Sequence, residues 1–111
     1  MINAEHLRIG NYVLEDGNVR LIEFGSDIDL SDEFEPMPLN EELLLRLGFT
    51  EISSEEDKTF VYRDNRRIKI KLSDSGHIHL QLDAGYWGEV KHVHVLQNVF
   101  HALIGEKISL L

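Results

Sequence analysis

The chain of 111 residues has the length of one ordinary domain, and its 42% hydrophobic and 28% charged residues are typical of a globular protein rather than a disordered one. Twenty acidic against eleven basic residues give a formal net charge of −9, which disfavours a protein that coats nucleic acid or anionic membrane. The absence of cysteine excludes disulfides, thiolate metal sites and cysteine nucleophiles.

The first eight residues contain no apolar run, and no stretch of the sequence approaches the roughly 18 apolar residues of a membrane span. We therefore expect no signal peptide, no membrane partner and a cytoplasmic protein. The sequence has no internal repeat, low-complexity tract or linker, which predicts a single domain covering residues 1–111.

Residues 7–24 predict a β-hairpin, because Asp16-Gly17 is a preferred type I′ turn between strand-forming residues. A two-residue loop fixes the cross-strand pairs as Glu15 with Asn18, Leu14 with Val19, and Tyr12 with Leu21. The last two pairs are apolar and predict the buried face, which leaves Val13, Arg20 and Glu23 on the other face. The hairpin could belong to a small SH3-like curled sheet.

An acidic region follows, since residues 21–45 contain eight carboxylates and no basic side chain. Residues 25–38 carry two prolines and predict a surface loop with a short extended piece at 27–30. Asn40 is a suitable N-cap for a helix from Glu41 to about Leu47, which Gly48 would end.

Three short strands are predicted at residues 59–63, 66–72 and 77–82, after an acidic link at 53–57. Apolar residues alternate in the second and third strands, and matching them pairs Leu72 with Ile78 across the loop Asp74-Ser75-Gly76, with Gly76 left-handed. The opposite face of this pair then carries the polar side chains Arg67, Lys69, Lys71, His77, His79 and Gln81.

Residues 85–88, with two adjacent aromatics, predict a loop or the start of a strand whose rings cover the core. Apolar periodicity then predicts a helix from about Val93 to Ile104, ended by Gly105. The predicted fold class is α+β: an antiparallel β-meander with an N-terminal hairpin, one short helix, and a C-terminal helix packed on the sheet.

Three blocks carry a resemblance to a known family: residues 94–106, residues 7–13, and residues 36–42 followed by Leu47-Gly48-Phe49. Together they resemble a family of small uncharacterised bacterial proteins from gut anaerobes, often encoded near prophage or conjugative-element genes. The family tends to carry a tyrosine where this chain has His92. The resemblance implies a cytoplasmic accessory protein and implies no activity, substrate or catalytic residue.

The predicted C-terminal helix carries a polar stripe formed by His94, Gln97, Asn98 and His101. Amides and imidazoles form directional hydrogen bonds at modest desolvation cost, so this face suits contact with a protein partner, most simply a second copy in a homodimer. The alternative is that the helix is buried on nearly all sides and the four side chains satisfy backbone groups of the long acidic loop.

Six of the eleven basic residues lie within residues 58–71, and Arg67, Lys69 and Lys71 would share one strand face. Such a face could follow a phosphate backbone, so nucleic-acid binding is the second functional hypothesis. The alternatives are that these charges pair with the acidic segment 27–42, or that they protect a sheet edge.

Two His-x-His pairs are the strongest metal signal. His77 and His79 would share a strand face, but beside basic residues; His92 and His94 would diverge by about 200° if both were helical. We therefore expect no metal site. The sequence lacks the motifs G-x-S-x-G, H-E-x-x-H, G-x-x-x-x-G-K-[ST] and G-x-G-x-x-G, so we expect no cofactor and no catalytic residues, and an enzyme is the third hypothesis.

Overall fold

The computed structural model of the chain describes residues 2–54, 58–63, 65–73, 75–82 and 85–110. The chain divides into two compact units, the first formed by Met1–Pro38 with His92–Ile108 and the second by Leu39–Lys91 with Ser109–Leu111. The predicted α+β class is confirmed, because the described residues form an antiparallel hairpin, a five-stranded antiparallel sheet and helices that include a C-terminal one.

The first unit contains the hairpin, formed by β1 (Tyr12–Glu15) and β2 (Asn18–Leu21). Both turn residues have positive φ, 51° at Asp16 and 81° at Gly17, as a type I′ turn requires. The predicted register is confirmed in every pair: Glu15 with Asn18, Leu14 with Val19, and Tyr12 with Leu21. In the described residues this hairpin is a two-stranded sheet, not part of an SH3-like curl.

The prediction of which hairpin face is buried is wrong. Val13 is fully buried, whereas Val19 and Leu21 expose 51% and 38% of their surface. Val13 belongs to a cluster of buried apolar side chains that also contains Ile2, Leu7, Ile22 and Phe34. The prediction failed because it treated Arg20, opposite Val13, as a surface residue. The Arg20 guanidinium instead lies over the Phe34 ring, 5.2 Å from its centre, so a charged group shares the core face.

The prediction of an extended piece at 27–30 is also wrong. The segment forms a short helix, α1 (Gly25–Ile28), and a 3₁₀ turn (Ser31–Glu33). The Asp27 carboxylate accepts hydrogen bonds from the backbone N–H groups of Glu23 and Phe24, each at 3.0 Å, and these bonds close the first turn. A helix of four residues that is closed by a side-chain cap shows no apolar periodicity, so the apolar pattern of the sequence does not predict it.

The second unit begins with α2 (Glu41–Arg46), which is capped as predicted. The Asn40 side-chain oxygen accepts a hydrogen bond from the N–H of Leu43 at 2.8 Å, and Gly48 adopts a φ of 99° just beyond the helix. Its buried side chains include Leu43 and Leu44.

The five-stranded sheet is a simple meander in the order β3 (Phe49–Ser54), β4 (Lys58–Tyr62), β5 (Asn65–Leu72), β6 (Ile78–Leu82) and β7 (Gly85–Glu89). The predicted pairing of Leu72 with Ile78 is confirmed, and Gly76 is left-handed with a φ of 88°. Asp74 of that loop and the side chains of residues 86 and 87 lie outside the described part. Strand β3 was not predicted from the sequence, because most of its residues are polar and its last two belong to the predicted acidic link at 53–57.

The C-terminal helix is confirmed as α3 (Val93–Ile104), and Gly105 ends it in a left-handed conformation with a φ of 83°. Within its own unit, α3 packs beside β1. Among the described residues, no helix has the length and apolar character that a membrane crossing requires.

Candidate functional site

The polar stripe of α3 is largely engaged inside the first unit. Gln97, which is 5% exposed, accepts a hydrogen bond from the N–H of Tyr12 at 2.9 Å. Its amide nitrogen donates to the carbonyls of Gly10 at 2.9 Å and Ile108 at 3.0 Å. This one side chain therefore connects α3 to the backbone of residues 10–12 and of Ile108. Its role is internal, but the backbone groups that it bonds do not belong to the acidic loop.

Asn98 has a similar internal role. Its side-chain oxygen accepts from the Asn11 amide at 2.9 Å, and its nitrogen donates to the carbonyl of His6 at 2.8 Å. Only His101, at the C-terminal end of the stripe, is exposed. The four residues thus do not form a continuous exposed surface, and the structure favours the internal alternative over a contact surface for Gln97 and Asn98.

His94 is the remaining member of the stripe, and it is buried at 4% exposure. Its Nδ1 atom has no hydrogen-bond partner among the described residues. Burial, together with smaller contributions from the nearby His92 and His6, lowers the pKa of His94 to about 4. His94 is therefore a neutral imidazole at neutral pH, and it titrates far below the ordinary histidine range.

The second His-x-His pair has a different geometry from the predicted one. His92 precedes α3 in an extended conformation, with φ −130° and ψ 148°, so the divergence expected for two helical residues does not apply. The rings of His92 and His94 stack, with centres 6.0 Å apart and planes 15° apart. Among the described residues, no group of three or more histidine, aspartate or glutamate side chains is arranged to hold a metal ion.

The predicted basic face is present in part. Lys69 and Lys71 lie opposite Gln81 and His79 on one face of β5 and β6, as the register predicted. The side chain of Arg67 lies outside the described part. Lys58 does not join this face: its ammonium group is 2.8 Å from a carboxylate oxygen of Glu41, and this bond raises the Lys58 pKa. One charge of the basic run is thus paired with the acidic segment.

His77 belongs to a small polar cluster with a neighbouring glutamate. Its Nδ1 lies 2.6 Å from Glu89 Oε2, and Lys91 lies 3.4 Å from the other oxygen of that carboxylate. These contacts lower the Glu89 pKa, chiefly through the bond to His77. Ser73 Oγ bonds the backbone of His77, and no described hydroxyl contacts its ring. The cluster is an ion-paired strand junction, and the described contacts give it no nucleophile.

Among the described residues, a concave surface lies along β2, and we call it the hairpin groove. Its volume is about 470 Å³. Nine residues line it: Glu15, Asp16, Asn18, Val19, Arg20, Leu21, Glu23, Phe24 and Asp27. The lining includes every residue of β2, so residues from both faces of the strand border the groove. Phe24 is 64% exposed at one end, so the groove joins exposed apolar side chains to a strand edge.

The outward backbone groups of β2 have no hydrogen-bond partner among the described residues. On β1 the outward-facing residues are Tyr12 and Leu14: the Tyr12 N–H donates to the side chain of a glutamine in α3, and Leu14 exchanges two hydrogen bonds with Glu35. Antiparallel alternation makes Val19 and Leu21 the outward-facing residues of β2. None of the described residues bonds their N–H or C=O groups, so this edge is open.

The charges of the hairpin groove are unevenly paired. Arg20 contacts Glu15 and Asp27, each at 2.9 Å. The pKa of Asp27 is lowered, chiefly by the backbone N–H groups of residues 24 and 23 and also by Arg20. Asp16 and Glu23 have no cationic partner among the described residues. The groove therefore carries a net negative charge, with an unpaired carboxylate near each end of β2.

Sequence reasoning missed this groove because it placed the apolar residues of β2 on the buried face. A signal was nevertheless present: the apolar residues Val19 and Leu21 alternate with the polar residues Asn18 and Arg20, and they follow a turn that fixes their strand register. No protein-family model, curated protein or solved structure matches this chain. The resemblance to the uncharacterised bacterial family consequently stays a prediction.

Proposed function

We propose that this chain is a non-enzymatic protein-binding module that receives an extended segment of another protein along β2. The observation that supports the proposal is the open edge of β2 inside a groove lined by exposed apolar side chains. Extended peptides bind such edges by adding a strand: main-chain hydrogen bonds supply affinity, and alternate side chains supply specificity. A cytoplasmic accessory role in a mobile genetic element belongs to the same proposal.

The edges of the larger sheet support this assignment by contrast. Its register is broken by a bulge in β3 between Glu51 and Ser53, and again where β6 pairs with β7 at Leu80 and Gln81. Bulges at edge strands discourage the addition of a foreign strand. β2 pairs with β1 in unbroken register, so the described hairpin has no bulge that would discourage the addition of a strand.

The size of the site sets the expected strength of binding. β2 has four residues, and its outward positions, Val19 and Leu21, offer at most four main-chain hydrogen bonds. An interface of this size lies well below the ~1,600 Å² of a standard complex. We therefore expect a transient complex, with an isolated peptide binding in the range of about 10 μM to 1 mM.

A displayed library of random heptapeptides, selected on the full chain, tests the proposal without assuming a ligand. Each recovered peptide is synthesised and titrated into isotope-labelled protein, and amide shifts are followed by NMR. We expect shifts centred on Val19 and Leu21 and at least tenfold weaker binding to Val19→Pro, because proline removes an outward N–H group and places its ring in the groove.

Two further variants separate binding from folding. Phe24→Ala removes an exposed ring at the groove and leaves the β2 backbone unchanged, so it should weaken binding about threefold or more. Leu45→Ala removes a comparably exposed apolar side chain from α2 and should leave binding unchanged. Peptides that bind wild type and Val19→Pro equally, or a selection that yields no peptide, would overturn the proposal.

A further inference from the structure

The charge of the hairpin groove identifies the chemistry of its occupant. Resting on the proposed function, we propose that the segment bound along β2 is basic and apolar, with a lysine or arginine near each end and apolar side chains between them. The strand edge is the binding feature, and the carboxylates around it select among the extended segments that could pair with it.

The positive charge that Arg20 contributes to the groove is already paired with carboxylates. Arg20 lies within hydrogen-bond distance of both Glu15 and Asp27, which leaves the three groups together with one net negative charge. Asp16 and Glu23 add one negative charge each without a cationic partner among the described residues. An acidic segment would meet uncompensated carboxylates along this edge, whereas a basic segment would meet complementary charge.

The positions of the unpaired carboxylates give the spacing of the cations. Asp16 lies in the turn before β2, and Glu23 lies two residues after its last residue, Leu21. A strand rises roughly 3.3 Å per residue, so β2 itself is matched by about four or five residues of an added strand. Lysines at the two ends of a five-residue segment could each extend their long side chains towards one of the carboxylates.

The centre of the segment is apolar because the groove presents apolar side chains between its charged ends. Val19 and Leu21 lie on the same face of β2, since alternate residues of a strand share a face. They remain exposed, as Phe24 does. Two apolar side chains spaced by one residue in the added strand would cover Val19 and Leu21 and exclude water from the backbone bonds.

A second copy of this chain is a poor occupant for the same reason. The first unit contains ten acidic and three basic residues, a formal net charge of −7, and a second copy would bring the same carboxylates to the same groove. Like charges placed opposite one another on paired strands are destabilising. The partner is therefore inferred to be a different protein, whose extended segment carries positive charge.

The test compares three capped pentapeptides of sequence Lys-Val-Thr-Val-Lys, Gln-Val-Thr-Val-Gln and Glu-Val-Thr-Val-Glu, titrated up to about 5 mM into the full chain. We expect the lysine peptide to bind roughly three- to tenfold more tightly than the glutamine peptide, and the glutamate peptide to bind most weakly. Raising the salt concentration from about 0.05 M to 0.5 M should reduce the differences, because these charges are exposed.

Matched variants locate the effect. Asp16→Asn with Glu23→Gln should remove the preference for the lysine peptide, and asparagine accepts the positive φ of position 16. Asp32→Asn with Glu33→Gln makes the same change of charge in exposed residues that do not line the groove, and it should keep the preference.

The outcomes also separate this inference from the proposed function. Equal binding of the three peptides at the groove, or library peptides that are neutral or acidic, would overturn the basic segment and leave strand addition standing. Failure of every peptide to shift the amides of β2 would overturn both. Concentration-dependent dimerisation that Val19→Pro abolishes would show that the occupant is a second copy, and it would overturn the inference.

Discussion

The two units of this protein distribute their charges differently. The first unit has ten acidic and three basic residues, whereas the second has ten acidic and eight basic residues and a net charge of only −2. The acidic excess of the chain is thus concentrated around the hairpin. A partner that reads charge would meet a nearly balanced surface on one unit and a strongly negative one on the other.

The units also differ in how they finish their strand edges. The five-stranded sheet has bulges in its pairings at both ends, while the hairpin keeps regular pairing and an unpaired outer edge. An open edge is costly to keep because it invites aggregation. The surrounding carboxylates limit that risk, since identical molecules repel one another there. The same carboxylates can therefore disfavour binding of a second copy at the hairpin groove and favour binding of a basic segment.

The largest loss of stability in the first unit is expected from a substitution at Gln97 of α3. Gln97→Ala leaves the Tyr12 N–H and the carbonyls of Gly10 and Ile108 without their partner, so we expect the free energy of unfolding to fall by about 3 kcal/mol. Chemical denaturation measures the loss. Hydrogen exchange should show it in the amides of the first unit, including Tyr12.

Two substitutions in the same stripe serve as controls. Asn98→Ala breaks bonds that are less buried and should cost about 1 kcal/mol, whereas His101→Ala, at an exposed position, should cost almost nothing. If Gln97→Ala kept wild-type stability and instead changed the sedimentation coefficient, the stripe would be an intermolecular surface and the internal role would be wrong.

The next effect is the pH dependence of stability that His94 imposes. Its folded pKa of about 4 lies below the ordinary value of 6.5, so between these values the unfolded state binds the additional proton. Stability is full above pH 6.5 and falls as the pH is lowered towards 4, by at most about 3 kcal/mol. Denaturation curves at pH 7, 6, 5 and 4.5 measure the slope.

His94→Leu provides the test of that assignment, because leucine fills much of the same space without a titrating group. We expect the variant to lose most of the slope between pH 6.5 and 4.5, while His101→Leu, at an exposed site, keeps it. Asp27 and Glu89 have carboxyl pKa values below their ordinary ones, so the stability that they contribute is lost mainly below about pH 4.5, at the lower limit of this window. An unchanged slope in His94→Leu would assign it to other groups.

The elements that the sequence predicts well are those set by local signals. The Asp16-Gly17 turn fixed the hairpin register, Asn40 and Gly48 bounded α2, and alternation fixed the pairing of Leu72 with Ile78. Each depends on residues close in the chain. Local patterns do not reveal which side of a hairpin faces the core, because that depends on distant residues such as Phe34.

The candidate site was harder to predict for the same reason. Gln97 bonds residues 85 and 87 positions away in the chain, at Tyr12 and Gly10, so its polar neighbours could equally be read as a contact surface. The open edge of β2 depends on which residues β1 pairs with on its other side, namely Leu14 with Glu35. Only the folded arrangement shows that one edge of the hairpin is paired and that the other has no backbone partner among the described residues.

Proline substitutions distinguish the two sides of the β2 backbone by their effect on stability. Val19→Pro removes an N–H group that faces the groove, so we expect a loss of stability below about 1 kcal/mol. Asn18→Pro removes the N–H that closes the turn with Glu15 and should cost about 3 kcal/mol, although both side chains are exposed. Thermal denaturation of both variants measures the difference. Equal losses would show that Val19 also belongs to the ladder and that the edge is not open.

The smallest effect is expected for nucleic acid at Lys69 and Lys71. Two lysines on one strand face would release only about two counterions from a single strand, and the net charge of −9 opposes the approach of the polymer. We expect a labelled single-stranded oligonucleotide to show no anisotropy change below about 100 μM protein at 50 mM salt, and Lys69→Glu with Lys71→Glu to behave like wild type. Arg67→Glu with Lys69→Glu extends the test to the residue whose side chain lies outside the described part. Tight binding that either pair abolishes, with a steep salt dependence, would move the binding function from the acidic unit to the strands of the second unit.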